Sequence, residues 1–202
     1  MKKIFAIGGA VIKTAKPELK QVIENGDVEM LIHNGGSIFH DFQQEMEDLE
    51  SHSYPLDQLL KSTEVNQKAS QRVWEWLCGT APAPEGSITN LCQNVDISVL
   101  MFTGLACDFW QLVCDDWGII GNRAKVDFDI LCKRFESEFH YVCLGSAVIH
   151  PEVFIKAIAV SKPKKFRADV VDFMDMYRPR TRVAKYGTYY QMKHVDYLKG
   201  LR

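Results

Sequence analysis

The pattern that most restricts this chain is an apolar run that stops on small residues, met four times along the sequence. It is clearest in VEMLIHNGGSIFHDF, Val28 to Phe42. A compact apolar run breaks at Asn34-Gly35-Gly36, and a helical pattern carrying His40 and Asp41 follows. Gly8-Gly9, Thr103-Gly104 and Gly145-Ser146 end three further runs of the same kind. Apolar runs that alternate with helical patterns predict an α/β fold with a mainly parallel sheet. In such a sheet the strand ends lie along one edge and can line a single crevice. Glycine lets backbone approach a ligand, and helix starts offer N–H groups to phosphate or carboxylate. Four such ends predict a nucleotide-sized ligand. A geometric reading stays open beside it, in which the glycines serve only the turns.

In chain order, strands are expected at Lys3–Ile7, Val28–His33, Ile97–Phe102, Phe139–Leu144 and Arg167–Phe173. Pro17 marks a helix start and Gly26 its C-terminal cap. The first two strands with that helix form a βαβ unit, with a right-handed crossover expected. Helices are expected over Ile38–Leu49, Val65–Leu77, around Trp110 to Val113, over Asp127–Phe135 and from Pro151. Gly79–Gly86 is a loop, and the basic, tyrosine-rich tail after Phe173 has no clean period.

The chain has 202 residues, which fits one domain spanning 1–202. Its net charge of −2 gives no reason to expect nucleic acid or an anionic membrane as partner. No apolar run is long enough to span a bilayer. The N-terminal IFAIGGAVIK is broken by Gly8-Gly9 and reads as a buried strand rather than a targeting segment. The six cysteines include no C-x-x-C pair, so reduced, buried thiols in a cytoplasmic protein are expected, with no metal site. Neither G-x-G-x-x-G nor the P-loop fingerprint is present.

Three segments carry a resemblance. GGAVIKTAKPELKQVIENGDVEMLIHNGGSIFHDF, GSAVIHPEVFIKAI at Gly145–Ile158, and Tyr177-Arg178-Pro179-Arg180 resemble, in order, segments of the bacterial deoxyhypusine synthase-like proteins. The resemblance implies a Rossmann-like, NAD-binding fold. It implies a homo-oligomer, a tetramer before a dimer, and NAD-dependent transfer chemistry on an amine or polyamine-like substrate. The chain departs from that pattern in four places. Ala10 stands where relatives carry histidine after the glycine pair, and TGLACDF at Thr103–Phe109 lacks another histidine. His150 and Pro151 stand where a lysine and the catalytic histidine of deoxyhypusine synthases stand. The Trp-Gly-Lys segment bearing their imine-forming lysine is missing.

The candidate catalytic residues are therefore His40, Asp41 and His150. His40 titrates near neutrality and suits acid–base work; the alternative is an exposed side chain. Asp41 can instead stabilise a helix start, and His150 can act as a cap. The candidate cofactor-binding residues are Gly8, Gly9, Asn34, Gly35, Gly36, Thr103, Asp108, Gly145 and Ser146. Asp41 or Asp108 is the expected partner of a ribose hydroxyl. Lys13 is a phosphate contact, an amine nucleophile or solvated, and Arg178 and Arg180 are anion forks or charges that are solvated or at an interface. Two functions follow: an NAD-dependent transferase, or a non-catalytic module that binds NAD or another nucleotide. A third, a structural relic, is opposed by the retained glycine turns.

Overall fold

Six parallel strands form the centre of the molecule, in the order β3-β2-β1-β4-β5-β6. A computed structural model describes residues 2–43, 56–103 and 113–201, with side chains from 67 onward in the second stretch. The elements are β1 (Lys3–Ile7), α1 (Gly9–Glu24), β2 (Val28–Asn34), α2 (Gly35–Phe42), α3 (Leu56–Leu77), α4 (Ile88–Asn94) and β3 (Ser98–Phe102). They continue with α5 (Trp117–Phe135), β4 (Phe139–Leu144), α6 (Ile149–Ser161), β5 (Phe166–Asp172), β6 (Tyr189–Gln191) and α7 (His194–Lys199). The fold is Rossmann-like α/β, as the alternation predicts.

Strand alternation builds two cores. Ile4, Ala6, Met30, Ile32, Tyr141 and Cys143 face one way and pack with Leu131 and Phe135 of α5 and Phe154 of α6. Phe5, Ile7, Leu31, Val142 and Leu144 face the other way and meet Val11, Leu19, Val22 and Ile23 of α1, with Ile88 of α4 and Leu198 of α7. A side chain period of two on fully covered strands gives these runs their continuous apolar character. A third cluster joins Ile38 and Phe42 of α2 to Val73 and Trp74 of α3 and Met101 of β3.

Several expectations need correction. Helix α1 begins at Gly9, not Pro17, and bends at Ala15 (φ −143°, ψ 20°). Pro17 has no N–H to donate and its ring crowds the carbonyl four residues back, so it marks the second half of a broken helix. Gly26, with φ +78°, does follow the helix end as expected. Helix α6 starts two residues before Pro151. Helix α4 was not anticipated; it is short, and its N-cap Ser87 receives Asn90 N. The aperiodic tail supplies a π-helical turn (Pro179–Val183), a 3-10 turn (Ala184–Tyr186), strand β6 and α7. Cys92, Cys132 and Cys143 are buried, but Cys78 is exposed and Cys114 half-buried; all five are free thiols. The distal part of the Ile38–Leu49 helix, Gly104, Cys107, Asp108 and Trp110 lie outside the described residues. No helix among the described residues is long and apolar enough to cross a membrane.

Candidate functional site

The strand order reverses between β1 and β4, which are hydrogen-bonded neighbours. Connections leaving neighbouring strands for opposite faces open a crevice at their carboxyl ends. A cleft of about 630 Å³ lies there. One wall is Gly9, Ala10, Lys13 and Thr14 of α1 with Asn34, Gly35, Gly36 and His40. The opposite wall is Gly145, Ala147, Ile149, Asp172, Phe173, Met174 and Met176.

Backbone proximity makes this cleft possible. Gly8 N donates to Leu144 O at 2.7 Å, and Gly145 N donates to Val171 O at 3.0 Å, so each turn is tied to the next strand. A Cβ on Gly8 would stand 2.0 Å from the Gly145 carbonyl oxygen. A Cβ on Gly9 would stand 2.8 Å from His40 Cδ2. Gly145 adopts φ +65°, and a Cβ there would meet His194 Nε2 at 2.7 Å. Gly8 and Gly145 are fixed by geometry, whereas at Gly9 the obstacle is the His40 ring, which would have to shift. Gly36 differs, because a Cβ there would meet only Asn34 Oδ1, at 3.6 Å. Its small size leaves room in the cleft.

The β2–α2 turn is held from behind by a buried polar chain. Asn34 Oδ1 accepts from Ser37 N at 2.7 Å and Ser37 Oγ accepts from Asn34 N at 2.9 Å, a reciprocal cap on α2. Asp41 is fully buried; its carboxylate accepts from Ile88 N (2.7 Å), Thr89 N (2.8 Å) and Thr89 Oγ1 (2.8 Å) and pairs with Lys16 Nζ at 3.3 Å. The Thr89 proton is thus committed to Asp41. His33 Nε2, 3.2 Å from Thr89 Oγ1, must donate to it, which leaves His33 Nδ1 an acceptor 2.9 Å from Ser37 Oγ, whose one proton it shares with the Asn34 carbonyl at 3.0 Å. One chain of bonds runs from Asp41 through Thr89 and His33 to the Asn34 turn.

The cleft gathers some of the expected residues and not others. Gly9, Asn34, Gly35, Gly36, Gly145 and His40 line it. Gly8 and Ser146 are buried behind it, Ser146 Oγ receiving Asn34 Nδ2 at 3.5 Å and His150 N at 3.4 Å. Thr103 is half-buried and does not line the cleft. Asp41 caps α4 instead of facing a ligand. His150 is fully buried, with Nε2 donating to the Ile7 carbonyl at 3.0 Å. His40 places Nδ1 3.0 Å from Gln43 Oε1. Arg178 and Arg182 pair with Glu152, and Arg180 with Asp175, in partly exposed ion pairs away from the cleft lining. Among the described residues no cluster of three or more His, Cys, Asp or Glu is placed to hold a metal ion.

Asp172 was missed by sequence reasoning. It is a 6% exposed carboxylate at the end of β5, accepting from Met174 N at 3.2 Å. Its strand ends on an acid followed by Phe173, so the search for small residues passed over it. The signal was available, since Asp172 holds the same strand-end position as Asn34.

Burial pushes the His33 pKa down to about 4, with Asp41 opposing and Lys16 assisting. Burial also lowers His150 to about 4, against its bond to the Ile7 carbonyl. Both are held below the ordinary 6.5, so the unfolded chain takes up protons first as pH falls. Their contribution to stability is complete above about pH 6.5 and is lost on acidification toward pH 4. Each is worth on the order of 3 kcal/mol across that window. Urea denaturation at pH 7 and pH 5 is expected to show a lower midpoint at pH 5, and His33→Gln is expected to reduce the difference.

No protein-family profile and no curated protein matches the chain. Solved structures do. AgrE, crystallised as a ternary complex with ornithine and NAD+, superposes with a TM-score of 0.61 at 16% identity over 99% of this chain and 29% of its own. A protein assigned as a deoxyhypusine synthase from Entamoeba histolytica gives 0.59 at 10% identity over 99% and 73%. A conserved protein assigned as LOR/SDH from Methanococcus maripaludis S2 gives 0.56 at 13% identity over 99% and 59%. The chain thus spans under a third of the length of AgrE, and at these identities it shares their fold.

Proposed function

We propose that the cleft binds NAD and that the chain is a deoxyhypusine synthase-like NAD-binding protein acting on an amine. The observation that carries this reading is the position of the cleft, at the point where strand order reverses. The starts of α1 and α2 lie on one wall there, with Gly9, Gly35 and Gly36 offering close backbone approach. Ser37 N is taken by Asn34 Oδ1 and Val11 N by the Gly8 carbonyl, but the first-turn N–H groups of Gly9, Ala10, Gly35 and Gly36 precede the helical ladder and suit a pyrophosphate, beside Lys13. The other wall suits a different group. The Asp172 carboxylate can accept from a ribose hydroxyl or a substrate ammonium, and Phe173, Met174 and Met176 can pack an aliphatic chain. His40 is the candidate acid or base facing the cleft. The complex of AgrE with ornithine and NAD+ supports the same combination of ligands. A homo-oligomer, tetrameric in the resembled family, belongs to this reading.

The second reading is a non-catalytic NAD-binding module. It is favoured by the burial of Asp41 and His150, which leaves His40, Lys13 and Asp172 as the titratable groups on the cleft walls. Calorimetric titration of NAD into wild type and Gly36→Val tests the site. A Cβ at Gly36 would meet only Asn34 Oδ1, at 3.6 Å, outside its own helix, so a valine there adds bulk on the cleft wall. Wild type is expected to bind, and the variant to bind at least about tenfold more weakly, a difference of about 1.4 kcal/mol. Equal binding by both, or no binding and no co-purified nucleotide, rejects NAD at this turn. Mass spectrometry with NAD and spermidine separates the two readings, since turnover of the amine is expected only of the transferase.

A further inference from the structure

The end of the sheet away from the cleft gathers a second set of polar side chains. Side chains alternate along a strand, so Lys3 of β1, His140 of β4 and Arg167 of β5 share the face that carries Phe5, Val142 and Val171. The register sets Lys3 beside His140 and His140 beside Arg167, near the amino ends of these strands. Neighbouring strands stand about 4.8 Å apart, so the three basic side chains form one row. Like charges side by side are unfavourable unless an acceptor stands between them. Asp169, two residues on from Arg167, supplies it. Its side chain is 1% exposed. Oδ2 accepts from His140 Nε2 at 2.8 Å and from Arg167 Nε at 2.9 Å, and Oδ1 accepts from Thr188 N at 2.8 Å. Burial works to raise the Asp169 pKa, and these bonds outweigh it and hold the group below the ordinary 3.8. The carboxylate is therefore charged, and its oxygens are committed to the row and the Thr188 turn.

We propose that this row is a second ligand site, independent of the NAD cleft, and that it takes a phosphoryl group, free or carried on a small organic body. A pocket of about 330 Å³ opens over the row, with Met192, Tyr197 and Leu201 as its apolar wall. Most of its unspent hydrogen-bonding capacity is donor. Arg167 gives Nε to Asp169 and one Nη2 proton to Tyr190 Oη at 3.0 Å, which leaves the rest of its fork for a ligand. Tyr190 Oη accepts that bond, so its own proton is left to donate. Lys3 has no ion-pair partner among the described residues. An ionised Asp169 only accepts, so His140 Nε2 carries a proton, and a second proton would make Nδ1 a donor too. Donors from β1, β4, β5 and β6 converge from several directions, which suits a tetrahedral oxyanion better than a planar carboxylate. Asp196 on α7 is the opposing acid at the rim. With His140 neutral, Lys3 and Arg167 balance Asp169 and Asp196, so the empty pocket is stable. A proton on His140 tips that balance toward an anion. Tyr197, the other titratable group over the row, stays a neutral phenol, because burial pushes its pKa up.

Sulfate is the first probe, because it matches phosphate in shape and keeps its charge between pH 6 and pH 8. The readout is the His140 ring signal in nuclear magnetic resonance of histidine-labelled protein, assigned with His140→Gln, at constant ionic strength against chloride. Sulfate is expected to shift that signal saturably, and to bind at least about threefold more tightly at pH 6 than at pH 8 as the imidazole takes up its proton. Lys3→Met is expected to weaken binding at least about threefold, and Asp196→Asn to strengthen it by a similar factor. Glycerol phosphate binding more tightly than inorganic phosphate assigns a small ester as the ligand, and the reverse assigns the free anion. NAD, held at the other end of the sheet, is expected to leave the sulfate titration unchanged, so the two sites stand or fall separately. Absence of a saturable shift at His140 overturns the proposal. So does equal affinity at the two pH values, or wild-type affinity in folded Lys3→Met. Should Lys3→Met lose its native circular dichroism spectrum, unchanged affinity in Asp196→Asn overturns it instead.

Discussion

Gly8→Ala is expected to lower the melting temperature by roughly 6–12 °C, about 3 kcal/mol of overpacking spread over a chain of this size, and to abolish NAD binding. The added methyl would stand 2.0 Å from the Gly145 oxygen and 2.7 Å from its carbonyl carbon. Both obstacles are backbone, so no rotamer change relieves them. The Gly145 turn cannot retreat freely, because its N–H is bonded to Val171 and the next residue, Ser146, is bonded toward Asn34 and His150. The two turns must therefore separate, and their separation deforms both walls of the cleft. Gly121 is the control. It lies in α5, and a Cβ there meets nothing within 4 Å. Gly121→Ala is expected to raise stability by up to about 1 kcal/mol through helix propensity alone. Thermal melts of the two variants, with NAD titrations on each, check both statements. Equal melting temperatures would contradict the account of the β1 and β4 turns.

The sheet was legible because buried parallel strands are continuous apolar runs, and five of the six strands read as such. β6 is three residues long, its sequence is Tyr-Tyr-Gln, and it is placed by pairing with β5 rather than by its own pattern. The cleft was legible at its glycines, since Gly9, Gly35, Gly36 and Gly145 all reach it. What sequence cannot express is the direction in which a polar side chain turns. His40 and Asp41 are adjacent, yet a helix separates neighbours by about 100°. His40 faces the cleft and Asp41 faces the interior. The partner of Asp41 lies at the start of α4, 47 residues along the chain, and no local pattern points to it. His150 likewise answers to the Ile7 carbonyl, 143 residues away.

Asp41→Ala is expected to destabilise the fold by about 3–5 kcal/mol, the cost of removing one partner from a buried charged network. The substitution leaves Ile88 N, Thr89 N and Thr89 Oγ1 without their acceptor at a buried helix start. Lys16 loses its partner too, but its side chain is 30% exposed, so water screens that part of the loss. The damage is expected to spread to the cleft, because Thr89 no longer has a fixed proton direction. His33 can then change tautomer, and its bond to Ser37 weakens. Asp41→Asn keeps one acceptor and is expected to fall between wild type and alanine. The ordering separates a structural from a catalytic carboxylate. A catalytic Asp41 would leave denaturation midpoints near wild type in both variants while turnover disappeared. The buried geometry predicts the reverse: graded loss of stability, with NAD affinity of folded Asp41→Asn close to wild type. Urea denaturation of the three proteins, followed by NAD titration below the transition, decides between them.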